Sequence, residues 1–210
     1  VGAVLARYVV AGRWTVGYLV VLLAVHTWMD AVDPSTFVAW ASTNVANLGT
    51  HPLGALVASA LIVNGPLLDP GTLITLWLGI GGALWWVESR GGPARAAAVF
   101  LGGHVGGTLL TVPVILAAIR AGRYAEDIRT TVDVGISYGA QAALAAVVVA
   151  LPGWARVPWV AFVLGWPLVD AEWSGLLPDF TTVGHEVAAT IGFVLAATLL
   201  RSPRGHLPRR

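Results

Sequence analysis

Cysteine and lysine are both missing, and all 12 basic residues are arginine. Without cysteine there is no disulfide, no thiolate nucleophile and no thiolate metal site. An arginine-only basic set is typical of GC-rich genomes, and a bacterial source is expected. Charge of either sign is scarce: Asp, Glu, Lys and Arg make up 11% of the chain, against about 25% in soluble domains. That is too little to clothe a water-facing surface. With 57% hydrophobic residues and a mean hydropathy of +0.77, the chain reads as an integral membrane protein in contact with the lipid bilayer. Histidines and carboxylates nowhere cluster with metal-ligand spacing. No glycine-rich phosphate loop occurs, and the C-terminal arginines are too few for a nucleic-acid surface. No metal, no cofactor and no nucleic-acid partner is expected.

What is present is a series of apolar segments. A spanning helix needs roughly 20 mostly apolar residues. The pattern predicts six spans, over residues 14–29, 72–87, 94–119, 132–151, 158–169 and 184–200. Between the first two lies a semi-apolar stretch, 30–71, broken by prolines. Its segment 51–63 is too short to cross and is expected to be re-entrant or interfacial. No small-residue cleavage site follows the first span at a signal-peptide distance, so no cleavable leader is expected. Arg7, Arg13, Arg90, Arg95, Arg156, Arg201, Arg204, Arg209 and Arg210 fall on one side of such a layout. Arg120, Arg123 and Arg129 fall on the other. The positive-inside bias places both termini, residues 1–13 and 201–210, in the cytoplasm of a multi-pass cell-membrane protein. The expected fold is all-α, a single bundle of six helices over 1–210.

Small residues recur at four-residue spacing where helices would touch. Gly102 and Gly106, with Gly103 and Gly107, mark the third span. Gly135, Gly139 and Ala143 mark the fourth, and Gly184, Ala188 and Gly192 the sixth. Such faces let backbones approach closely in lipid. Ser137 lies between two of these glycines near the start of the fourth span, and His185 opens the sixth. Helical rise puts both at similar depth below the outer surface. A serine among glycines is more often a packing residue, and a histidine at an interface is often merely wet. A hydroxyl and an imidazole at matched depth on facing small-residue stripes are also the minimum for a base-activated nucleophile. Gln141 lies one turn below Ser137, placed to line a polar cavity there. The run Gly135-Ile136-Ser137-Tyr138-Gly139 matches G-x-S-x-G, but that elbow needs a strand–turn–helix in a soluble parallel sheet. A membrane helix excludes it.

Three stretches together resemble the rhomboid intramembrane serine proteases. "WWVESRGGPARAAAVFLGGHVGGTLL" resembles the junction of the family's second and third spans. "GISYGA" resembles its G-x-S motif, and "GHEVAATIGF" its His-x-x-small-x-x-x-Gly pattern in the last span. The resemblance implies a six-span bundle with a membrane-embedded outer loop after the first helix and a mobile fifth helix. It implies a Ser137–His185 dyad cleaving transmembrane-helix substrates near the outer face, with the Ser137 N–H stabilising the oxyanion. The pattern departs in the second span. There the family usually carries a histidine and an asparagine four residues apart, and the matching places hold Thr72 and Leu76. Gly135, Gln141, Thr72 and Asn64 are the oxyanion or cavity-lining candidates, with Thr75 and His51 behind them. A slow protease, a protease with a rebuilt oxyanion hole and an inactive relative that binds or escorts membrane proteins all fit this departure.

Overall fold

The computed structural model describes residues 2–200; the expected C-terminal tail, 201–210, lies outside them. The described chain is mostly helical. A first helix, α1 (Gly2–Ala11), was not foreseen in the arginine-bearing N-terminus. Gly12 separates it from α2 (Arg13–Ala31). A Cβ at Gly12 would lie 2.0 Å from the Trp85 ring, so only glycine lets this joint close. The semi-apolar stretch folds into three short helices, α3 (Ser35–Ala41), α4 (Val45–Thr50) and α5 (Pro52–Ser59). The long helices α6 (Pro70–Gly91) and α7 (Pro93–Arg120) follow, then α8 (Ser137–Ala150), α9 (Gly153–Gly165) and α10 (Phe180–Leu200). A small antiparallel hairpin, β1 (Trp173–Ser174) and β2 (Leu177–Pro178), precedes α10.

Among the described residues, four helices are long and apolar enough to cross a membrane: α2, α6, α7 and α10. The expectation of six is not met by length. Within the predicted span 132–151, residues 132–136 form a loop rather than helix. Gly135 sits at φ +124°, outside helical geometry, and the Ile136 N–H is spent on the Ile62 carbonyl at 3.2 Å. The fifth segment runs only 13 residues as α-helix before tightening into a short 3₁₀ turn at Trp166–Leu168.

The centre of the bundle is α8. Every residue from Tyr138 to Ala146 is buried, because α7, α10 and α6 pack around it. Its alanines and glycine leave room for these neighbours. A Cβ at Gly103 would sit 2.3 Å from the Ala142 Cβ, and one at Gly192 would sit 2.3 Å from the Ala142 carbonyl oxygen. Gly139 lies under the Phe100 ring, Gly102 and Gly106 lie against Leu195 and Ile191, and Gly107 meets Ala188. Polar ties join the remaining helices. Glu88, near the end of α6, accepts from the backbone N–H groups of Trp14 and Thr15 at 3.0 and 2.7 Å and from the Thr15 hydroxyl. The carboxylate thereby caps the start of α2, where free N–H groups and the helix dipole favour an anion.

Candidate active site

The start of α8 is where the chain's chemistry gathers. Residues 130–136 approach it as an irregular loop strapped on two sides. Thr43 donates its N–H to the Asp133 carbonyl, Ser42 Oγ accepts the Asp133 N–H at 2.9 Å, and Asn44 reaches the Thr130 carbonyl. On the other side, Ile136 bonds back to Ile62. Gly135 at positive φ makes the turn between these straps. Ser137 is therefore the first residue of α8 rather than one deep inside a span. No side chain caps this helix start, and first-turn N–H groups have no partner within their own helix.

Ser137 and His185 line one cavity of about 260 Å³. Asn64, Thr72 and Gly135 share it, as do Thr75, Trp166, Asp69 and Asp133. The imidazole of His185 packs edge-on against the rings of Tyr138 and Trp166, at centroid distances of 5.1 and 5.2 Å. Its Nε2 is buried and has no hydrogen-bond partner among the described residues. The two side chains thus share a cavity without being hydrogen-bonded to each other. A second cavity of about 660 Å³ meets the first at His185, Trp166 and Thr181, and extends beneath the β-hairpin past Asp170, Glu172 and Asp179.

The other candidates are placed as follows. Thr72 lines the cavity, but its hydroxyl donates to Asp69, the residue that caps α6. That hydroxyl, with the Gly71 and Thr72 N–H groups, holds the Asp69 carboxyl below its ordinary range. Leu76 is fully buried in the apolar core, and Thr75 faces the cavity in its stead. Asn64 is exposed and lines both this cavity and a neighbouring one beside His26 and Asp30. Gln141 does not line the cavity. Its amide is spent deeper in the bundle, donating to the Val163 carbonyl at 2.6 Å and accepting from Trp166 Nε1 at 2.8 Å. Asp179 is likewise occupied, as the cap of α10. Burial pushes its carboxyl up, but donors from Thr181 and Thr182 outweigh this and hold it low. Asp133 and Trp166 escaped the sequence reading. The signal for Asp133 was available: a carboxylate four residues before Ser137 in an otherwise apolar run.

A family model described as rhomboid-like protein matches residues 7–206. The chain belongs to the rhomboid-like proteins. No curated protein and no solved structure matches it. As a rhomboid-like membrane protein, it falls among membrane proteases and pseudoproteases.

Proposed function

We propose that this rhomboid-like protein is an intramembrane serine endopeptidase, with Ser137 as nucleophile and His185 as general base. The substrates are transmembrane helices, cut near the outer face of a membrane crossed by six segments, α8 and α9 being the short ones. The observation that supports this reading is one cavity lined by both Ser137 and His185, whose Nε2 has no hydrogen-bond partner among the described residues. Ser137 Oγ attacks the scissile carbonyl carbon and its proton passes to His185 Nε2. The oxyanion faces the uncapped start of α8, where the Ser137 N–H is free to donate, and Asn64 is the side-chain amide within reach of the same cavity. Collapse of the tetrahedral intermediate breaks the C–N bond, and the leaving amine takes the proton from His185. Water, deprotonated by the same nitrogen, then releases the acyl group and regenerates the serine. Asp69 and Asp179 take no part, because both are helix caps.

A second reading is a rhomboid-like pseudoprotease that binds or escorts membrane proteins. It is favoured by the lack of a hydrogen bond between Ser137 and His185 and by the engagement of the Thr72 hydroxyl with Asp69. Fluorophosphonate labelling of the purified protein separates the two. The protease reading requires labelling that is lost in both Ser137→Ala and His185→Ala. It also expects Asn64→Ala to slow labelling by about 10²-fold, the typical cost of one oxyanion donor. A folded wild type that stays unlabelled leaves the pseudoprotease.

A further inference from the structure

Away from the Ser137 cavity, and sharing no lining residue with it, the bundle carries a second concavity of about 590 Å³. This is within the range of roughly 300–1,000 Å³ typical of small-ligand sites. It opens between α2, α5 and α7. Its walls are apolar, with Tyr18 and Phe100 inside and the exposed side chains of Trp14, Leu53, Val57 and Leu101 along its lips. A polar contact within the chain stands at each of its ends. At the arginine-rich end stands Glu88, whose carboxylate is satisfied by Trp14 and Thr15. At the other end His104 Nε2 lies 3.0 Å from the Leu56 carbonyl and 3.2 Å from Ser59 Oγ. A carbonyl can only accept, so this nitrogen carries the proton. The bond pins α5 across the top of the groove.

The length of the groove selects its occupant. Eleven residues separate Pro93 from His104, a rise of about 16 Å at roughly 1.5 Å per residue. That is about half of a hydrocarbon core roughly 30 Å thick. A partner helix would need the full thickness, and α5 blocks its path. One acyl chain of one leaflet needs only half. At the arginine-rich end, Arg13 precedes the lining residue Trp14 in sequence, and Arg95 follows Pro93 and precedes Ala96, its guanidinium donating to the Gly91 carbonyl at 3.2 Å. Both arginines are exposed, as is Arg90. Against these three cations stands Glu88, buried and fully engaged.

We infer that this groove binds an anionic phospholipid from the leaflet on the arginine-rich side, one acyl chain lying between α2 and α7 beneath α5. The headgroup phosphate lies against Arg13 and Arg95. His104 is then a positioning residue for the roof of a lipid site and stands apart from the proteolytic chemistry. The inference is independent of whether Ser137 is active.

The test is native mass spectrometry of the detergent-purified full chain, followed by delipidation and rebinding of phosphatidylglycerol or phosphatidylcholine. Wild type should retain a single phosphatidylglycerol through purification and rebind it in preference to phosphatidylcholine. Ala97→Trp fills the groove from α7, and Val57→Trp narrows it from α5; either should abolish retention. Ala98→Trp, exposed on the same helix but outside the groove, should retain lipid as wild type does. Arg13→Gln with Arg95→Gln should keep a bound lipid but lose the headgroup preference. The inference is overturned if no lipid is retained, or if the folded groove variants retain it as well as Ala98→Trp. Headgroup indifference in wild type overturns the anionic assignment.

Discussion

Asp133 carries the least expected charge in the chain. Burial pushes its carboxyl up to about 6, against the pull of the Thr43 hydroxyl bonded to it. A carboxyl raised above its unfolded value holds its proton longer in the folded state. Between its ordinary 3.8 and about 6 the folded chain therefore binds more protons than the unfolded one, and stability falls as pH rises through that window. The expected result is that Asp133→Asn, which keeps an acceptor for Thr43, gains on wild type across this window and stays ahead above it. Thermal unfolding in detergent at about pH 4 and about pH 7 measures the difference. An equal gap at both values would refute it. The contrast with Asp69 and Asp179 is instructive. Those two carboxylates gather several donors each and are held low, whereas Asp133 has one hydroxyl and a cavity.

Among the elements, α9 is tied to α8 by side chains. Gln141 bridges the Val163 carbonyl and Trp166 Nε1, and Trp159 Nε1 donates to the Leu144 carbonyl at 2.9 Å. Trp159 is thus a tie between helices, as is Trp85, which stacks on Tyr8 and donates to its carbonyl. Gln141→Leu strands the buried Val163 carbonyl, at roughly 1–3 kcal/mol, and the half-buried Trp166 N–H at less. Trp166→Phe strands one. The expected order of thermal stability is wild type, then Trp166→Phe, then Gln141→Leu, and the double variant should fall short of the sum because both changes break one shared bond. Strict additivity would show that the bridge contributes nothing. If α9 is the mobile helix of the proposed protease, the same two variants should also label faster at Ser137, because the tie that closes the bundle beside His185 is gone.

At the scale of the molecule, the ends of α2, α6 and α7 that carry Arg13, Arg90 and Arg95 lie at one end of the bundle, with Ser137, the hairpin and both aspartate caps at the other. The absence of cysteine makes this polarity directly measurable. Single cysteines at Ala94, in the first turn of α7, and at Leu176, 97% exposed at the hairpin tip, should react with an impermeant maleimide from opposite sides of a sealed vesicle. In intact cells only Leu176→Cys should label. Labelling of Ala94→Cys alone would invert the orientation, and with it the expected site of cleavage.

Much of this was already written in the chain. Hydropathy and the poverty of charge fixed a membrane protein, since a bilayer admits few other ways to satisfy a backbone. The small-residue spacings of 102–107, 139 and 188–192 marked positions that the fold packs, because close helix approach needs the missing side-chain volume. Ser137, Gly135 and His185 could be named as candidates from motif and helical depth, and Thr72 and Asn64 from the family resemblance alone. That they border one cavity, and that Gln141 does not, was a tertiary matter. Gln141 has the same helical phase whether it faces water or the Val163 carbonyl, and only the position of α9 decides. The start of α8 was illegible for a related reason. An apolar run reads as helix, yet the Ile62 carbonyl, more than 70 residues away, takes the Ile136 N–H and stops the helix short. Other long-range contacts set Asp133 beside the Thr43 hydroxyl and His104 beside the Leu56 carbonyl.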